Sequence, residues 1–202
     1  MASDKDKIIA RIRRWGHGAA FTAKDFLDLA ARGTVDMTLT ALIADSTIRR
    51  LTRGLYDYPR YSEMLQQLTA PDLNEVARAL ARRYRWTIIP DGPLAANLLG
   101  LSTQVPAQAV YISDGPTKTI AIGKRRILFK NARPKETGVT SVRSGCVIQA
   151  LRHLGRHAVD ATVIRRLRRI LSAKDKRALV RDARQSADWI YAAACAIAGK
   201  DA

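Results

Sequence analysis

The chain has 202 residues, with 35 Lys/Arg against 18 Asp/Glu, a formal net charge of +17 and a hydrophobic fraction of 47%. That apolar content suffices for a buried core and excludes wholesale disorder, and no stretch reaches the ~18 apolar residues of a membrane span. So large a positive excess points first to a polyanionic partner rather than a membrane. The opening run MASDKDKIIARIRRWG lacks the apolar core of a signal peptide. Cys146 and Cys195 are far apart and form no CxxC pair. This argues against a disulfide framework or a zinc site and fits a reducing cytoplasm. With only His17, His153 and His157 besides, neither a metal nor a cofactor is expected. The charge is uneven: residues 1–70 hold 11 Lys/Arg against 8 Asp/Glu, and residues 71–202 hold 24 against 10.

In chain order, residues 5–15 place Ile8, Ile9 and Ile12 at helical spacing, and Trp15-Gly16-His17-Gly18 ends that helix. Thr22 then caps a second helix. Asp25 stands three residues on as a capping box, and Phe21 and Phe26 hold the two places of a hydrophobic staple. Phe26, Leu27 and Leu29 give this helix its apolar side. Arg32-Gly33 reads as a tight turn, after which Thr34 caps a third helix reaching about residue 46, with Asp36 near its positive end.

On the third helix Val35, Leu39, Leu42 and Ile43 share one side, and Thr34, Met37, Thr40, Ala41 and Ala44 the other. The second side has no Arg or Lys for a bidentate guanine contact. Its small apolar and hydroxyl groups suit thymine methyls and base edges. Modest direct readout is therefore expected, with flanking Lys24 and Arg32 on phosphates. Residues 47–51 and 55–58 alternate apolar and polar about Thr52-Arg53-Gly54, the pattern of a hairpin. Arg49, Arg50 and Arg53 concentrate charge on it, where a wing meets phosphate or minor groove. Helix, turn, helix and basic hairpin describe a winged helix-turn-helix, whose usual partner is duplex DNA. The same fold also serves as a protein–protein module, and an Arg-rich edge can simply resist strand aggregation.

Residues 61–70 read as a connecting segment, and Pro71 sets a boundary between domains at 1–70 and 71–202. Asp72 caps a helix to about Arg85. Residues 86–90, 109–113, 119–122 and 125–130 read as strands, with a short helix over 94–99 and a Gly123-Lys124 turn of type II′. Helices follow at about 142–154, 160–171, 173–183 and 188–198. The expected class is α+β: an N-terminal winged helix-turn-helix, then a mixed α/β domain with a helical C-terminal lobe.

Few residues suggest chemistry. His153 and His157 have i, i+4 spacing, but Gly155 intervenes and Arg152 and Arg156 crowd them. Asp91 and Asp114 each precede Gly-Pro, which suits two turns better than a paired-carboxylate site. Cys146 and Cys195 sit in apolar runs as inert thiols. No Walker A, Rossmann, HExxH or GxSxG motif occurs. The basic run is different. Ile164, Leu167 and Leu171 hold a buried stripe, so Arg165, Arg166, Arg168 and Arg169 fan outward. Lys174, Lys176, Arg177, Arg181 and Arg184 extend that surface, with Asp160, Asp175 and Asp182 at hand to neutralise part of it. The excess suits a polyanion, either flanking DNA or an RNA.

The phrases FTAKDFLDL (21–29), TIRRLTRGLYDYP (47–59), LGLSTQVP (99–106) and YISDGP (111–116) resemble the AbiEi-like antitoxin family of bacterial abortive-infection, type IV toxin–antitoxin systems. The resemblance runs from about Ile9 to Ala194, and the wing phrase with Gly54, Leu55 and Tyr56 is its most specific part. It implies an N-terminal domain that binds inverted repeats in its own promoter and represses the operon. It implies a C-terminal domain that counters a nucleotidyltransferase-type toxin without a stable complex. It assigns the DNA role to the helix at 34–46 and to Arg49, Arg50 and Arg53, and it supplies no catalytic residue, so no enzyme is expected. Two alternatives stand beside it. A nucleotidyltransferase- or nuclease-related enzyme would need Asp91 and Asp114 to converge. A basic RNA-binding module would prefer RNA over an operator duplex.

Overall fold

A capping box opens the first helix of the computed structural model, which describes residues 3–132 and 139–199. The Asp6 amide donates to the Ser3 hydroxyl at 3.2 Å and the Ser3 amide donates to the Asp6 carboxylate at 3.1 Å. Helix α1 (Asp4–Trp15) follows, burying Ile8 and Ile12, and Gly16 at φ 82 lets the chain leave it. Strand β1 (Ala20–Phe21), a 3-10 turn (Ala23–Phe26), helix α2 (Arg32–Ala44) and strands β2 (Arg49–Thr52) and β3 (Leu55–Asp57) come next. The three strands form an antiparallel sheet in the order β1-β3-β2. This is the topology of a winged helix-turn-helix whose middle helix is a 3-10 turn. Its core gathers Ile8, Ile12, Phe21, Phe26, Val35, Leu39, Leu42 and Ile48, with the expected staple seen as an edge-on Phe21–Phe26 pair at 5.4 Å.

The helical spans differ from expectation at two points. The Thr22 amide donates to Asp25 Oδ2 at 2.8 Å as the capping box requires, yet the element it starts ends at Phe26. The Asp25 carbonyl, which would accept from Leu29 in an α-helix, accepts instead from Arg11 Nη1 at 2.8 Å. Leu29 N–H turns to the Phe26 carbonyl, and Leu27 is left exposed. Arg32-Gly33 is no tight turn. It forms the first turn of α2, and Ala31 rather than Thr34 is the N-cap, because the Val35 amide reaches the Ala31 carbonyl at 3.0 Å.

After β3, the segment read as a connector holds a small hairpin, β4 (Tyr61–Ser62) and β5 (Gln67–Leu68). Helix α3 (Leu73–Tyr84) is capped by Asp72 and closed by Arg85 in the left-handed conformation. Strands β6 (Ile88–Pro90), β7 (Ala109–Ser113), β8 (Lys118–Ile122) and β9 (Arg125–Asn131) form a sheet in the order β6-β7-β9-β8. Helix α4 (Gly92–Leu98) lies between β6 and β7 in sequence. Helices α5 (Val142–Leu154), α6 (Ala161–Ile170), α7 (Ala173–Ala183) and α8 (Asp188–Ala198) complete the chain. They pack with α4 around Leu99, Val147, Leu151, Leu167, Leu179, Ile190 and Ile197.

The chain divides into two units. One runs through Trp86 and takes in Ile120–Ile127; the other comprises Thr87–Thr119 and the residues from Leu128 onward. Helix α3 thus falls in the first unit, beyond the boundary expected at Pro71. Its Leu73, Val76 and Leu80 are buried as it packs on β1, β3 and the 3-10 turn. Arg82 ties it down further, donating to the Asp25 carboxylate at 2.7 Å and to the Ala20 carbonyl at 3.0 Å. With α3 and the β8–β9 turn included, the first unit holds 18 Lys/Arg against 10 Asp/Glu. It is far more basic than residues 1–70 alone.

Candidate nucleic-acid interface

The wing is the turn between β2 and β3. Gly54 sits there at φ 73, a conformation glycine adopts without the steric cost of a Cβ. Leu55, fully buried, anchors the returning strand. Alternation then divides the arginines. Arg49 turns inward: its Nε donates to Asp57 Oδ1 at 3.1 Å, its Nη2 to Oδ2 at 2.6 Å, and Nη2 also donates to the Thr69 carbonyl at 3.2 Å. Asp57 is only 1% exposed, so Arg49 is engaged in holding a buried carboxylate. Arg50 and Arg53 are exposed, and among the described residues their side chains have no hydrogen bond or ion pair.

Two further cations stand beside the wing. Arg83, at the end of α3, donates from Nη1 to the Arg53 carbonyl at 3.3 Å. The same Nη1 lies 3.4 Å from where a Cβ on Gly54 would stand. Lys24 Nζ donates to the Arg83 carbonyl at 3.1 Å. Lys24, Arg83 and Arg53 therefore form one linked basic group. The sequence could not join Arg83 to it, because 30 residues separate Arg83 from Arg53 and only the packing of α3 brings them together.

Helix α2 carries its faces as the periodicity predicts. Val35, Leu39 and Leu42 are buried; Met37 is 69% exposed and Thr40 is exposed, with Thr34 half-buried. Arg32 is exposed but paired with Asp36 at 2.7 Å. The Thr40 hydroxyl donates to the Asp36 carbonyl at 2.8 Å. The outward face is thus uncharged apart from this one ion pair in its first turns. Arg11 holds the Asp28 carboxylate with two hydrogen bonds, at 2.6 and 2.7 Å. That lowers the Asp28 pKa below the ordinary carboxylate value.

In the second unit Arg165, Arg166, Arg168, Arg169, Lys174, Arg177 and Arg181 are exposed and Lys176 is half-buried. Four of them donate to neutral acceptors. Arg165 reaches the Thr162 hydroxyl, Arg166 the Leu99 carbonyl, Arg168 the Ala196 carbonyl and Arg181 the Thr140 hydroxyl. None meets an acid: all six ion pairs among the described residues lie in the first unit. The acids that could neutralise this surface are occupied as caps and tethers. Asp160 accepts from the Thr162 and Val163 amides, Asp175 from Ser172, and Asp182 from Thr140. These basic side chains thus have no direct ion pair among the described residues, and cations outnumber acids on this surface.

Asp91 and Asp114 do not converge. Strands β6 and β7 pair antiparallel with Ile88 opposite Ser113 and Pro90 opposite Tyr111. This puts Asp114 beside Thr87, whose amide it accepts at 2.8 Å, and Asp91 at the other end of the pair. Asp91 is also half-buried, and its Oδ1 has no hydrogen-bond partner among the described residues. Burial raises its pKa, opposed by the Leu94 amide and by the charges of Lys130 and His153. His153 ends on α5 while His157 lies in a separate 3-10 turn past Gly155, so no continuous helix aligns them. Among the described residues no three His, Cys, Asp or Glu gather as a metal site, and no helix is long and apolar enough to cross a membrane.

Residues 7–179 match the model of a family of unknown function, DUF6088, and the chain belongs to that family. No curated protein matches it.

Proposed function

We propose that this DUF6088 protein is a cytoplasmic, DNA-binding antitoxin of a type IV toxin–antitoxin system. In this reading it represses its own promoter and counters a nucleotidyltransferase-type toxin without a stable complex. The observation that carries the DNA half is the wing: Arg50 and Arg53 stand exposed and without partners among the described residues, on a turn backed by Arg83 and Lys24. Phosphate contacts of this kind supply affinity, while the short side chains of α2 supply limited base readout. Arg50, Arg53, Lys24 and Arg83 take the phosphate role, and Met37 and Thr40 face the bases. The antitoxin half rests on the resemblance of residues 21–29, 47–59, 99–106 and 111–116 to AbiEi-like antitoxins.

A gel-shift with the DNA just upstream of the gene tests the first half. Inverted repeats there should be bound in preference to a scrambled duplex. Co-expression tests the second half: an adjacent nucleotidyltransferase-like reading frame should arrest growth alone and not with this protein. No arrest, or arrest that this protein fails to relieve, would remove the antitoxin reading and leave a DNA-binding protein.

A basic RNA-binding module is the second reading. It draws on the arginines of α6 and α7 that meet no acid among the described residues. A tRNA pool that outcompetes the upstream duplex would favour it.

A further inference from the structure

Lys174, Arg177 and Arg181 recur at i, i+3 and i+7 on α7, which sets them along one side of that helix. Together with Thr140 and Ser141 they line a depression of about 250 Å³. Ser141 is the N-cap of α5, so the positive end of a 13-residue helix lies at the rim. Two acids are close: Asp175 itself lines the depression, and Asp182 follows Arg181 in sequence. Asp175 accepts from the Ser172 hydroxyl at 2.7 Å, and Asp182 accepts from the Thr140 amide at 3.0 Å and hydroxyl at 2.8 Å. The Thr140 hydroxyl in turn accepts from Arg181 Nη2 at 3.0 Å. The chain Asp182–Thr140–Arg181 thus holds one guanidinium in place before any ligand arrives, which lowers the ordering cost of binding.

We propose that this depression is a phosphate-binding pocket. Three cations around one concave site suit an oxyanion with several acceptor oxygens, and arginine forks favour phosphate. Size narrows the ligand further. The volume is below the ~300 Å³ at which drug-sized pockets begin, so one phosphoryl group enters and the rest of the ligand stays outside. That group comes either from a nucleic-acid backbone or from a small free phosphate. The pocket uses none of the wing residues and does not depend on operator binding.

The test is an amide NMR titration of the full chain with inorganic phosphate, against sodium chloride at matched ionic strength. Saturable shifts are expected at Thr140, Ser141 and along α7, with none from chloride. A Lys174→Ala/Arg177→Ala variant should keep its melting temperature and bind phosphate at least about tenfold more weakly. An Arg165→Ala/Arg169→Ala variant on α6 should bind as wild type. A short oligouridylate separates the two sources: it displaces phosphate if a nucleic-acid backbone is the ligand and does not if a small phosphate is. Phosphate shifts that match chloride, or a pocket variant indistinguishable from the α6 variant, would overturn the proposal. An Arg50→Ala/Arg53→Ala variant should retain phosphate binding whatever its affinity for DNA, so the two readings fail separately.

Discussion

Arg49 and Arg50 are neighbours in sequence with opposite roles. Arg49 neutralises the buried Asp57, and Arg50 projects into solvent. Arg49→Ala would leave a buried carboxylate unpaired, at an expected cost of about 3 kcal/mol, the low end for a broken buried pair, since Arg49 is itself 30% exposed. Denaturant unfolding measures this; a loss under about 0.5 kcal/mol, as for an ordinary surface change, would show the pair to be idle. Arg50→Ala should instead leave stability unchanged and weaken DNA. Asp91 gives a pH signature. A carboxyl whose folded pKa is raised costs the fold stability as pH climbs from its unfolded value of 3.8 through the folded one. Asp91→Asn is therefore expected to unfold at a higher temperature at pH 7, with the gain vanishing below the ordinary carboxylate range. Asp28 has the reverse sign: its pKa is lowered by Arg11, so its contribution is present at neutral pH and fades as acid protonates it.

At the scale of elements, the wing depends on Gly54 and on the helix behind it. Gly54→Ala must hold a Cβ at φ 73 with Arg83 Nη1 at 3.4 Å. The cost should be about 1 kcal/mol or more, and DNA affinity should fall although Arg50 and Arg53 are untouched. Wild-type affinity in that variant would mean the turn geometry is irrelevant to binding. How much of this was legible follows from range. The faces of α2, the Thr22–Asp25 box and the alternation across residues 49–57 are local patterns, and the structure holds all three. The shortening of the second helix was not legible, because Arg11 takes the Asp25 carbonyl from 14 residues away. Nor could alternation alone show that Asp57 would be the one buried acid waiting for Arg49. Helix α3 itself was readable from Asp72 and its apolar spacing; its membership of the first unit depends on Arg82 reaching Asp25 across 57 residues.

For the whole molecule the question is what +17 is for. The two units use their acids differently. In the first, four acids pair with arginines, and Arg50 and Arg53 of the wing are among the cations that have no ion pair among the described residues. In the second, acids cap helices and tether Thr140, and the arginines of α6 and α7 make no direct ion pair among the described residues. Sequence-specific binding should therefore be lost with the wing, while salt-sensitive binding to any polyanion should persist through the second unit. Removing Arg50 and Arg53 should reduce the log–log salt slope for operator DNA by about 2, one phosphate contact each. An unchanged slope would place those contacts elsewhere.

The most direct measurement is a gel-shift titration of the upstream duplex at two salt concentrations. Scrambled duplex and tRNA serve as competitors, and Arg50→Ala/Arg53→Ala is run beside wild type. Arg49 is kept intact so that the variant stays folded. Tight binding specific to the upstream DNA is expected, weakened at least about tenfold in the variant at unchanged melting temperature. Equal affinity for scrambled DNA, a preference for tRNA, or a variant that binds like wild type would contradict it.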